Sequence, residues 1–226
     1  MRDTVVLDIE TLGSVNNSVI LSVGMVTVDS DHDYTFKELI EDGYYAKLDV
    51  KGQVDSGRKI HKDTVDWWAT QGEEAKHVLK PSPQDMHWSN LREDMIQWLT
   101  KQGVNIHKVR AYSRGSHFDF GILHDLFRIT GNASADELPW RFWNIHDSKT
   151  VVLTLLNKDS WELGVEPEGF IHHNALHDAA REYLNMETAV YIFQNNLEKG
   201  AHMVGHEVTE TLAEISMANL LEGTTS

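Results

Sequence analysis

Val5-Val6-Leu7-Asp8-Ile9-Glu10-Thr11 is the stretch whose reading decides the fold. A run of β-branched and apolar residues, short enough for one buried strand, is interrupted at its end by two carboxylates with one residue between them. Side chains alternate faces along a strand, so Asp8 and Glu10 point the same way, about 7 Å apart. Two anions on one face of a buried strand repel each other and lose hydration, which is costly unless a cation lies between them. The pair therefore reads as a metal site or as a solvated strand end, and Asp-x-Glu alone does not choose.

Composition narrows the classes. A chain of 226 residues with 41% hydrophobic and 24% charged residues fits one well-buried domain. No apolar run approaches the length of a membrane helix, and no signal peptide is evident. Cysteine is absent, which removes disulfides, thiolate zinc sites and cysteine nucleophiles and is compatible with a reducing cytoplasm. The formal charge of −15 argues against nonspecific duplex DNA binding through a basic surface. It leaves room for a nucleic-acid enzyme whose carboxylates hold divalent cations. Lys47, Lys51, Arg58, Lys59 and Lys62 form the one basic cluster, which suits either a guide for a nucleic-acid backbone or a solvated loop.

Beyond the opening strand, 13–18 is predicted as a turn, 19–29 as a long strand and 34–39 as a third, in an antiparallel meander that 44–48 extends. An irregular loop is expected over 49–57 and a helix from Asp63. A second helix starts at Ser82, with Leu91, Met95, Trp98 and Leu99 at helical spacing. Residues 109–112 form a short strand, followed by helices over 118–131, over 151–156 behind a Ser148 cap, and over 176–197. The segment 208–221 has helical spacing without an anchor. Strands first, then helices separated by further strands, predict an α/β fold with a mixed sheet flanked by helices.

Three later features bear on Asp8 and Glu10. Asp119 shares a helix face with Ile122, Leu123 and Leu126, so it is expected to be at least partly buried and to need a partner, either a cation or backbone N–H groups. Asp178 shares a face with Arg181, Glu182 and Asn185, which suits solvent or a water-filled cleft equally. His173 is five residues before Asp178, about 140° away on a continuous helix, and reaches the same site only from a preceding loop. Together the four acids form a hard oxygen donor set suited to Mg²⁺ or Mn²⁺. Two such ions can support phosphodiester hydrolysis, with His173 as the proton acceptor.

This combination resembles the DEDDh branch of the DEDD 3′→5′ exonucleases. Asp8-Ile9-Glu10 matches the first motif, Phe118-Asp119 the second, and His173 with Asp178 the third. The resemblance is closest to the T-even bacteriophage exodeoxyribonuclease A group and its bacterial exoribonuclease relatives. It rests on Val65-Asp66-Trp67-Trp68, Arg114-Gly115 ahead of Phe118-Asp119-Phe120, and Phe142-Trp143-Asn144. It implies a ribonuclease-H-like fold, a 1–200 exonuclease domain with 201–226 as an acidic helical extension, and release of nucleoside 5′-monophosphates. It implies Asp8, Glu10, Asp119 and Asp178 as ligands of two Mg²⁺ or Mn²⁺ ions and His173 as general base, while His172 and His177 have no catalytic role. Arg114-Gly115 stands where many relatives carry His-Asn, so Arg114 is expected to bind a phosphate or form a structural ion pair. Trp67 and Trp68 suit base stacking or a split between core and surface. Asp147 reads as a helix cap or a support for the site, and Phe142 and Trp143 as core. The expected substrate is a single-stranded DNA 3′ end, with RNA trimming and an inactive nucleic-acid-binding module as alternatives. The expected location is the cytoplasm, the host's if the chain is phage-encoded, with homo-oligomerisation left open.

Overall fold

Period-two alternation in the first strand, β1 (Thr4–Thr11), assigns each of its faces to a different core. Val5, Leu7 and Ile9 pack into one cluster, and Val6 into another. Asp8 and Glu10 continue the Val6 face. The computed structural model describes residues 2–129 and 138–202, with the side chain of Ser160 and those of residues 197–202 left aside. The expected helix over 208–221 lies outside the described residues.

β2 (Ile20–Val28) and β3 (Tyr44–Lys47) build an antiparallel meander on one side of β1, while β4 (Arg110–Ser113) and β5 (Ile145–Asp147) add parallel strands on the other. The sheet order is β3-β2-β1-β4-β5. The third strand of the meander is therefore 44–47, not 34–39. Residues Phe36–Glu41 instead form helix α1, because Thr35 and Glu38 make a reciprocal capping box that the local alternation conceals.

Two more boundaries differ from the sequence reading. The expected loop at 49–57 contains helix α2 (Val50–Asp55), capped by the Asp49 carboxylate, which accepts from the Gly52 N–H. Its Gln53 is buried and exchanges two hydrogen bonds with the backbone of Ile20, standing in for a strand partner. The helix expected from Ser82 starts only at Leu91, as α4 (Leu91–Lys101). Asp85 is engaged with Lys47 and the Ser82 N–H, and the Met86 N–H pairs with the Lys47 carbonyl, so 82–86 is tied to β3.

Helices α4 and α5 (Ser116–Arg128) cover the Val5 face. Helices α1, α6 (Ser148–Leu156) and α7 (Ala175–His202) cover the Val6 face. The cap of α6 is Asp147, which accepts from the Thr150 N–H, rather than Ser148, whose hydroxyl donates to Glu182. Phe142 and Trp143 are not core: they are 64% and 61% exposed, because they precede β5 at the sheet edge. The basic cluster is largely neutralised locally. Arg58 turns inward to Asp125 and the Ser18 carbonyl, and Lys47, Lys51 and Lys62 pair with Asp85, Asp55 and Asp66. No helix among the described residues is long and apolar enough to cross a membrane.

Candidate active site

The cleft lies over the C-terminal end of β1, where α7 begins. Gly24 of β2 sits opposite Asp8, and the N-terminus of α7 packs directly on it. A Cβ at Gly24 would lie 2.1 Å from the backbone nitrogen of Leu176, so only glycine admits this approach. That contact brings the first turn of α7, with Asp178, over the sheet face bearing Asp8 and Glu10. After Glu10 the β1–β2 register shifts, which ends regular pairing at the cleft.

Asp119 arrives from the first turn of α5, whose entry residue Gly115 has a φ of 82°. The Asp147 carboxylate accepts from the Gly115 and Ser116 N–H groups, at 2.8 and 2.9 Å, while also capping α6. Asp147 thus clamps two helix starts together behind Asp119. Asp119 Oδ1 accepts from the Ile9 N–H at 3.3 Å, and its buried Oδ2 has no hydrogen-bond partner.

His173 lies in the loop before α7, as the spacing required, with a φ of 58°. Asn174 Oδ1 accepts from the Leu176 and His177 N–H groups and starts the helix. One side-chain ligand atom each from Glu10, His173 and Asp178 lie within 4.8 Å of one another. Trp68 is 1% exposed and donates through Nε1 to the Thr11 carbonyl, so it anchors α3 (Lys62–Ala69) to β1 and offers no ring to a base. Trp67 is 43% exposed and its ring packs edge-on against His173 with centroids 4.8 Å apart. His177 accepts from the Ile171 N–H, a structural contact, and His172 is exposed.

Arg114 is ion-paired with Asp159 and lies 3.7 Å from Glu182, yet its buried Nη1 has no hydrogen-bond partner. Arg181 Nη2 donates to Asp178 Oδ1 at 2.9 Å, and Asp178 Oδ2 is buried without a partner. The residues sharing Asp178's helix face are therefore buried, as in a cleft, not on a solvated surface. Arg114, Asp178, Arg181, Glu182 and Trp161 line one cavity of about 180 Å³ with Asp8, Glu10 and His173. Trp161 and Gly24 were not singled out by the sequence reading. A lone glycine in a Val/Ile strand does signal a close backbone approach, whereas nothing local connects Trp161 to the cleft.

Burial, then repulsion from Asp119, Glu10, Asp178 and Glu182, holds Asp8 well above the ordinary carboxylate range. Glu10 is raised likewise by burial, Asp178 and Asp119. Burial pushes Asp119 up to about 8 and Asp178 up to about 6, the latter despite Arg181. His173 is shifted down by burial and by the positive charges of His172 and Arg181, which favours a neutral ring. Clustered buried carboxylates, two of them with one unpartnered oxygen, fit a hard divalent cation.

In the metal-free protein the folded state retains carboxyl protons that the unfolded chain has lost, so stability falls as pH rises toward about 8. His146, His173 and His177, all shifted down, oppose this only in part, just above pH ~6.5, where the unfolded rings still carry some protons, while Asp8, Glu10 and Asp119 all act in the stated direction. In chelator, melting at pH ~8.5 is expected at least ~3 °C below that at pH ~6.5, with Mn²⁺ recovering more at the higher pH. A melting temperature that rises with pH in chelator would contradict this charge balance.

A model of the Rv2179c-like 3′–5′ exoribonuclease domain matches residues 3–190. The chain belongs to this family. It is a 3′–5′ exonuclease, a hydrolase acting on nucleic acid, with a ribonuclease-H-like fold. An exodeoxyribonuclease of Enterobacteria phage T4 is 29% identical over 200 residues, covering 82% of this chain and 88% of the relative. S. pombe Pop2p in its Mg²⁺- and Mn²⁺-bound form superposes with a TM-score of 0.53 at 15% identity, covering 90% of this chain and 86% of that one. The nuclease domain of 3′hExo, a DEDDh family member bound to rAMP, gives 0.50 at 14% identity, covering 86% of this chain and 93% of that one. Both share the fold.

Proposed function

We propose that this exonuclease degrades single-stranded DNA from its 3′ end to nucleoside 5′-monophosphates, with Asp8, Glu10, Asp119 and Asp178 holding two Mg²⁺ or Mn²⁺ ions. The observation that carries the reading is the approach of Glu10, Asp178 and His173 within 4.8 Å, with a buried, unpartnered carboxylate oxygen on Asp178 and another on Asp119. When bound, the ions neutralise the clustered carboxylates and provide Lewis-acid stabilisation of charge developing on the phosphate.

His173 is the general base. It removes a proton from the attacking water as oxygen adds to phosphorus, the P–O3′ bond to the upstream nucleotide breaks, and the released O3′ takes a proton from solvent. Burial keeps its imidazole neutral and able to accept, and Trp67 limits its swing. Arg114 lines the cavity and offers its positive charge to a substrate phosphate, while Asp159 holds the guanidinium in place and Nη1 faces Glu182. Exposed Trp67 remains a stacking candidate at the His173 side; the burial of Trp68 argues against a direct substrate role for it. The function requires no membrane association and suits the cytoplasm, including a host's.

RNA is the second reading, favoured by the exoribonuclease description of the family, whereas the T4 relative is an exodeoxyribonuclease. Matched 5′-labelled DNA and RNA oligonucleotides, with Mg²⁺, Mn²⁺ or chelator, test sugar preference and metal dependence together. On the preferred substrate His173→Ala is expected to lower kcat by about 10²–10⁴-fold. Parent-like turnover by that variant would remove His173 from the proton transfer.

A further inference from the structure

One aromatic ring at the cleft is not used by the mechanism above. Trp161, in the short 3-10 helix Ser160–Leu163, lines the same cavity as Asp8, Glu10 and Asp178. The guanidinium carbons of Arg181 and Arg114 lie 4.3 and 4.6 Å from its ring centroid. Both cations are anchored. Arg181 donates to Asp178 and also lies over the Phe170 ring at 4.4 Å, while Arg114 is held by Asp159. Asp159 accepts from the Trp161 N–H as well, so one carboxylate fixes both the ring's backbone and the cation beside it.

Trp161 nevertheless keeps 58% of its surface exposed. More than half of the residue's surface is therefore left uncovered by the two cations, at the wall of the cavity that holds the acids. A flat, rigidly backed π-face beside the acids matches the requirement for sequence-tolerant stacking of a nucleobase.

We propose that the exposed ring of Trp161 receives a nucleobase of the single-stranded substrate and so positions the strand beside the carboxylates. The proposal rests on the exonuclease reading and holds for either sugar, because every base has a π-face. It is tested with 5′-labelled oligonucleotides of the preferred sugar carrying an abasic residue at the first, second or third position from the 3′ end. On the fully based strand Trp161→Ala is expected to raise KM about tenfold, with Trp161→Phe close to the parent. At one abasic position the parent should lose a similar factor and Trp161→Ala should add nothing further. That position is the subsite. An equal Trp161→Ala penalty on every abasic strand, or a loss confined to kcat, would overturn the proposal and leave Trp161 as a prop for the two arginines. A parent inactive on both DNA and RNA would instead overturn the functional reading itself.

Discussion

Replacing Asp119 by Asn is expected to abolish hydrolysis while raising the melting temperature of the metal-free protein. Asp119 is buried, its Oδ2 has no partner, and its carboxyl is pushed up to about 8 beside Asp8 and Glu10. Asn keeps the shape and the Oδ1 acceptor for the Ile9 N–H, but removes one of several mutually repelling charges. Its amide also supplies a donor to neighbouring carboxylate oxygens. Relief of about 1–2 kcal/mol would raise melting by roughly 3–6 °C in chelator at pH ~8. The same change deprives the divalent ions of a negative oxygen ligand. Loss of several kcal/mol of transition-state stabilisation corresponds to at least ~10³-fold in rate. The two readouts move in opposite directions, which separates a site built around cations from an ordinary buried acid. A variant that loses both activity and metal-free stability would argue against this assignment.

Gly24→Ala should be nearly as damaging, although Gly24 carries no functional group. The added methyl would sit 2.1 Å from Leu176 N and 2.2 Å from the Ala175 carbonyl carbon, which are backbone atoms and cannot rotate away. The start of α7 must retreat by on the order of 1 Å, and a displacement of that size at a reacting site costs about 10²-fold. Asp178 and His173 would both move, so activity should fall by about that factor and the Mn²⁺-dependent gain in melting temperature should shrink. Overpacking should also cost about 1–3 kcal/mol of stability. Gly72→Ala is the control, because a Cβ there meets nothing within 4 Å. Equal activity in the two variants would show that the close approach does not set the geometry.

The site's components were legible in the sequence because chemistry is carried by residue type. Asp8 and Glu10 had to share a face, Asp119 had to be at least partly buried by its apolar neighbours, and His173 had to come from a loop. Local patterns were weaker where two readings competed. The alternation of 34–39 resembled a strand, but Thr35 and Glu38 cap a helix. Asp49 caps a helix too short for apolar periodicity to register. Phe142 and Trp143 looked like core because aromatic rings usually bury, whereas their place before an edge strand leaves them in solvent. The polar residues beside Asp178 could not be assigned to solvent or cleft by periodicity, since both use the same helical face.

The sequence alone marked out the candidate acids and histidine, the mixed sheet and the requirement that distant segments meet. The strand period and hydrophobic pattern act over a few residues, and they suffice for that much. Only the tertiary structure decided how the segments meet, because that depends on contacts between residues far apart in the chain. Gly24 lets α7 onto β2, Asp147 joins two helix starts behind Asp119, and Arg114 and Arg181 converge on Trp161. Close approach, shared caps and exposed rings are properties of space between elements, and no local spacing encodes them.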